Sequence, residues 1–188
     1  MDIVKLSRNL MYKQTKKNKG PVWLLTEMAI DKGVELSKKY QVDERLVTTS
    51  LYLAHTVFSI VWNGAVQQNH PRLSAKFVKP YLKKWRVSEV EQEIIINAIA
   101  DHHTPGSSKT KIAEVVKNAE CFKFVTVEGS LIWLHECGFR KYTFPDAVSK
   151  VLHKTEQKFS LLTLTDCLKE AKLNRVKIHA LFDPLVSK

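Results

Sequence analysis

A chain of 188 residues, 44% hydrophobic and 26% charged, is long enough to bury one sizeable core and too apolar to stay disordered. Thirty Lys and Arg against nineteen Asp and Glu leave a net charge of +11, a field that attracts polyanions and makes phosphate-bearing small molecules, nucleotides and nucleic acid the candidate partners. No stretch approaches the ~20 apolar residues of a membrane span and MDIVKLSRNLMYKQTKKNKG lacks a signal peptide's apolar run, so a cytoplasmic location without a span is expected.

In chain order, residues 1–19 read as a basic segment carrying Lys16, Lys17 and Lys19, followed by a helical domain over 20–188. GPVWLLTEMAIDKGVELSKKY predicts a helix with Pro21 in its first turn. VDERLVTTSLYLAHTVFSIVW, with Asp43 as N-cap and apolar residues at three- and four-residue spacings, predicts a helix over about 43–62, closed by an Asn63-Gly64 turn. LSAKFVKPYLKKW predicts the next helix. SEVEQEIIINAIADHH opens on Ser88 with Glu91 three residues on, a capping-box spacing, and stops before Pro105-Gly106. KTKIAEVVKNAECFKFV places Ile112, Val115, Val116, Ala119 and Phe122 on a core-facing side. GSLIWLHECGF, FPDAVSKVLHKTEQKF and LTLTDCLKEAKLNRVKIHALFDPLV complete an all-α, single-domain chain of about eight helices. Cys121, Cys137 and Cys167 are odd in number and widely spaced, which indicates buried free thiols and neither a disulfide framework nor a zinc ribbon.

Four of the seven histidines fall at the punctuation of this array. His55 lies inside the 43–62 helix, His70 precedes Pro71 at the start of the next, and His102-His103 end the helix before Pro105-Gly106. Helix ends are where side chains from different elements converge. Glu120 sits on the apolar side of its helix, where an unpaired carboxylate is costly and a cation partner is required. A buried histidine can simply bond a carbonyl, so His55 reads either as a satisfied core residue or as part of a metal site.

The order of these segments resembles the HD-domain superfamily of helical metal-dependent phosphohydrolases. DERLVTTSLYLAHTVF is similar to its His-Asp helix with His55 in the His position, and NHPRLSAKFVKPYLKK to the following segment, led by His70. IINAIADHHTPGSSKTKIAEVVKNAECFKFV carries His102-His103 and has Glu120 at the place of the later Asp, while FSLLTLTDCLKEAKLNRVKIHALFDPLV, with Ala171 and Arg175, resembles the closing helix. The likeness spans residues 43–183.

The resemblance implies a bundle that holds a divalent metal on His55, His70, His102, His103 and Glu120, with Arg175 of the closing helix as a substrate-binding cation; Lys109 and Lys111, a few residues beyond His103, read either as phosphate-binding point charges or as an exposed first helical turn. The resemblance also implies hydrolysis of a phosphate ester or nucleotide. Two departures qualify that reading. Thr56 stands where the resemblance has the metal-bridging Asp, and no His precedes His55, the expected helix offering Trp23, Leu24, Leu25 and Glu27 instead. With His55 and Glu120 left from one ion's set and His70 and His102 from the other's, the expected ion (manganese, iron, magnesium, zinc or nickel) is weakly held or absent. The alternative is a catalytically inactive HD-type module that binds a nucleotide, nucleic acid or a protein partner. His135, His153 and His179 fall outside the pattern and are expected at the surface or in packing.

Overall fold

The computed structural model describes residues 2–58 and 64–186, and within them the chain is all-helical, with no strand. Its α-helices are α1 (Ile3–Asn18), α2 (Trp23–Tyr40), α3 (Glu44–Leu53), α4 (Gly64–Lys84), α5 (Glu89–Asp101), α6 (Lys111–Phe122), α7 (Val127–Phe139), α8 (Phe144–Phe159) and α9 (Thr165–Val186). A 3-10 turn, Lys123–Val125, joins α6 to α7. No helix among the described residues is long and apolar enough to cross a membrane.

Side-chain caps set most of the helix starts. The Asp43 carboxylate accepts from Leu46 N, and the Thr110, Thr126 and Thr143 hydroxyls accept from the amides three residues on, each satisfying an otherwise orphaned N–H. At α5 the Ser88 hydroxyl accepts from Glu91 N at 3.3 Å and donates to the Glu91 carboxylate at 3.0 Å, which realises the capping spacing seen in the sequence.

Three apolar clusters tie the helices together. α2, α3, α6 and α9 meet around Leu36, Val47, Leu51, Ala119 and Ala171, and α1, α3, α4 and α5 around Leu10, Leu53, Val78, Leu82 and Ile99. α8 and α9 meet around Val148, Val151, Ile178 and Phe182, with Trp133 and Leu134 of α7 packed against them. The basic N-terminal segment is helix α1 itself, laid on α3 with Ile3, Leu10 and Met11 buried. Gly33 is where α2 comes closest to α3, since a Cβ there would run into the side chains of Leu51 and Val47. All three cysteines are buried free thiols, as the sequence indicates.

Three of the expected helix limits are corrected. The helix expected over 43–62 ends at Leu53. Beyond it the amides bond three residues back, Thr56 N to Leu53 O and Phe58 N to His55 O, so an unbroken apolar pattern runs into a tightened turn. His55 therefore lies in this turn, and residues 59–62 of the expected helix, with Asn63 of the expected closing turn, lie outside the described residues. His70 is inside α4, not at its start. α4 runs through Pro71 and Pro80 because Ala75, Val78 and Leu82 bury one face of it, and that packing outweighs the amide lost at each proline. Pro21 also stands outside α2, where Val22 is the N-cap.

Candidate metal centre

The turn after α3 brings in His55, the second turn of α4 His70, the end of α5 His102 and His103, and the last turns of α6 Glu120. These elements pack on one another through the apolar clusters, so the imidazoles meet at a fixed point. The ring centroids of His55 and His70 are 4.7 Å apart, those of His55 and His102 5.0 Å, of His70 and His103 4.8 Å, and of His102 and His103 4.2 Å. Each histidine offers one ligand nitrogen within 4.8 Å of all the others, and the group could hold a metal ion. The resemblance assigns His55 to one ion's set and His70 and His102 to the other's; here these three and His103 lie together as one group of candidate ligands.

Hydrogen bonds fix which nitrogens are bare. His102 Nδ1 lies 2.6 Å from Ile99 O and donates to it, which leaves the Nε2 lone pair free of a proton, 3.2 Å from His70 Nε2. His55 Nε2 donates to Glu120 Oε1 at 2.7 Å, so Nδ1 carries the lone pair, and this atom is buried without a hydrogen-bond partner among the described residues. An orphaned imidazole lone pair in a histidine cluster is what a ligating nitrogen looks like before it meets a cation. Burial lowers His55 to about 3 against the opposing pull of Glu120, and burial, reinforced by His55, lowers His102 to about 3. Both rings are neutral and ready to ligate at neutral pH.

Glu120 is only 1% exposed, next to the group but not part of it. Its Oε1 accepts from His55 and pairs with the Lys123 ammonium. Burial alone would raise this carboxyl, but the charge of Lys123 and the His55 imidazole outweigh it and hold the group well below the usual carboxylate range. Its visible task is to orient His55. Thr56 is fully buried, its hydroxyl donates to Leu53 O at 3.1 Å, and it does not line the cavity beside the cluster. At the start of α2, the N-cap Val22 and Leu25 reach that cavity and supply no ligand.

The cavity holds about 550 Å³ and is cationic: Lys123, Arg140, Lys150, Lys154 and Lys158 line it, against Glu120 as its sole acid among the described residues. Lys158 is 1% exposed and its ammonium touches His103 Nε2. Burial, with Lys158 and Lys123 nearby, lowers Lys154 to about 7. The cations assigned from the sequence are elsewhere. Lys109 and Lys111 are exposed around the start of α6, and Arg175 on α9 bonds Glu156 through Nε at 2.6 Å; none of them lines the cavity. The lysines that do were missed, although Lys150, Lys154 and Lys158 recur every fourth residue on one predicted helix. Of the remaining histidines, His135 is exposed against Phe139, His179 is partly exposed between Glu156 and Asp183, and the exposed His153 reaches the cavity lining.

The chain matches no protein-family model, no curated protein and no solved structure.

Proposed function

We propose that the chain is a divergent HD-type phosphohydrolase that holds one divalent transition ion on His55, His70, His102 and His103 and acts on a phosphate ester or nucleotide. The observation that carries this reading is the single ligand group of four imidazoles, opening beside a cavity with a cationic wall. A shell of neutral imidazoles suits zinc, iron or nickel better than magnesium. A bound ion would supply charge withdrawal from the phosphoryl oxygens and a nucleophile from water near neutral pH.

The chain's own residues would do the rest. Glu120 holds the His55 ring with Nδ1 bare, and Ile99 O holds His102 with Nε2 bare. Lys158, in contact with His103, would take the non-reacting phosphoryl oxygens as a point charge. Phe58, Phe124 and Trp133 wall the cavity with apolar surface, which strengthens those interactions by excluding water.

A second reading is favoured by one observation, the Thr56 hydroxyl turned back on Leu53 O. No carboxylate is available there to bridge a second ion, so the site would bind a nucleotide, nucleic acid or a protein partner without turnover. One experiment tests both. The purified chain is loaded with zinc, nickel, iron or manganese in turn, dialysed, counted for metal and assayed for phosphate release from p-nitrophenyl phosphate and nucleotides. Retention of about one ion per chain is expected for at least one metal, with loss in His102→Ala. Retention without turnover selects the second reading, and no retention of any metal removes the metal centre.

A further inference from the structure

α8 turns one stripe of its surface to the cavity: Lys150, His153, Lys154, Gln157 and Lys158, at the three- and four-residue spacing of a single helix face. Successive lysines on it stand about 6 Å apart along the axis. Lys158 reaches the histidine cluster through His103. One turn back, the Lys154 ammonium lies 5.3 Å from the centre of the Phe124 ring and 5.9 Å from that of Trp133. A further turn back, Lys150 lies 4.4 Å over Tyr142. The stripe is a ladder of cations leading away from the cluster.

What sets these lysines apart is their missing counter-ions. Lys123 pairs with Glu120 and Arg140 with Glu136, but among the described residues no carboxylate pairs with Lys150, Lys154 or Lys158. Surface lysines need no partner because water screens them. Lys158 is buried and Lys154 half-buried among other cations, an arrangement that is unfavourable unless an anion enters. On the same wall the Trp133 indole N–H is buried with no acceptor among the described residues.

We propose that α8 forms a second phosphate subsite, so that the ligand is a small molecule with two or more linked phosphoryl groups, one at the histidine cluster and the next on Lys154 and Lys150. This deepens the reading of the cavity as a phosphate site and rests on it. The stripe supplies more positive charge than one phosphoryl group needs, and it is spread along a line. The cavity volume suits a nucleotide-sized ligand rather than a polymer that must enter and leave. Aromatic walls behind the lysines hold the ammonium groups in place by cation–π attraction while leaving their N–H bonds for the anion.

Calorimetric titration of the metal-free full chain with orthophosphate, pyrophosphate and tripolyphosphate tests this apart from metal loading. Pyrophosphate is expected to bind at least about tenfold more tightly than orthophosphate, as one further charge-assisted contact pair provides. Lys154→Gln should remove about tenfold of the pyrophosphate affinity and change orthophosphate affinity by less than about twofold. Lys84→Gln, an exposed change of equal charge on α4, should alter neither. If Lys154→Gln does not fold by circular dichroism, Lys150→Gln serves the same comparison. Equal binding of the two anions, an equal loss in Lys84→Gln, or displacement of pyrophosphate by a single-stranded oligonucleotide at comparable affinity would overturn the subsite. A chain that takes up metal but fails this titration refutes the subsite alone, and one that discriminates the anions but takes up no metal refutes the proposed metal chemistry alone.

Discussion

The two walls of the cavity are built on opposite principles. On the histidine wall the polar atoms are partnered: His102 bonds Ile99 O, His55 bonds Glu120, and Glu120 bonds Lys123, while the His55 Nδ1 lone pair is buried without a partner among the described residues. On the α8 wall, Lys150, Lys154 and Lys158 lie without a carboxylate partner among the described residues and rest on aromatic faces or on His103. The first wall stabilises the fold and is pre-organised by it. The second works against the fold, as the proposed anion subsite leads one to expect.

The largest expected effect breaks the first wall. Glu120→Ala leaves the Lys123 ammonium, 3% exposed, with its ion pair gone, and removes the acceptor that orients His55. Loss of one partner of a buried pair should destabilise by about 3–5 kcal/mol, read from the urea midpoint at constant slope. The double variant Glu120→Ala, Lys123→Met should recover most of that loss, because the stranded charge is removed as well. A double variant no more stable than the single one would mean that the carboxylate acts chiefly through His55.

The same contrast explains what could be read from the sequence. The histidine wall was legible only in part: Pro105-Gly106 marks the helix end that carries His102-His103, and a carboxylate on an apolar helix face, Glu120, is costly without a partner, whereas His70 lies inside α4 and not at a start marked by Pro71. The caps at Asp43 and Ser88 and the all-helical architecture follow from local patterns of the same kind. The end of α3 did not, since apolar spacing continues past Leu53 while the hydrogen bonds shorten to three residues, and no local signal separates those two states. The course of α4 through two prolines is set by tertiary burial. The α8 wall was illegible for a deeper reason. A lysine every fourth residue is the ordinary signature of a solvated helix face, and only the packing of α7 and α8 around the cavity turns Lys154 and Lys158 inward. Lys109 and Lys111 drew the phosphate-binding assignment because they are near the histidines in sequence, and proximity along the chain is a poor guide to which cations face a cavity.

An intermediate effect, of opposite sign, probes the second wall. Lys158→Met keeps the side chain's length and removes a buried ammonium that has no carboxylate partner among the described residues, so the metal-free protein should become more stable by about 1–2 kcal/mol. The gain would be read as a higher urea midpoint with an unchanged slope. A loss of stability instead would show that the Lys158–His103 contact is structural, and the contrast between the walls would fail.

The smallest effect comes from a histidine outside the cavity and sharpens the contrast by its sign. His179 on α9 has Nε2 2.8 Å from Glu156 Oε1 and Nδ1 3.0 Å from Asp183 Oδ1. The hydrogen bond to Glu156 raises its pKa above 6.5 against the opposing burial, with Asp183 adding to the rise. A proton held more tightly in the folded state stabilises fully below the unfolded value near 6.5, and that contribution is lost as pH rises through the folded value. His55 and His102, lowered to about 3, run the other way: their neutral burial is favourable above 6.5 and becomes costly as pH falls. His179 and both its carboxylate partners are partly exposed, so screening keeps its contribution under about 1 kcal/mol. His179→Gln should therefore lower the urea midpoint slightly at pH 5.5 and not at pH 8.5, with the difference shrinking in high salt. A deficit that persists at the higher pH would mean that His179 acts through packing against α8 and not through its proton.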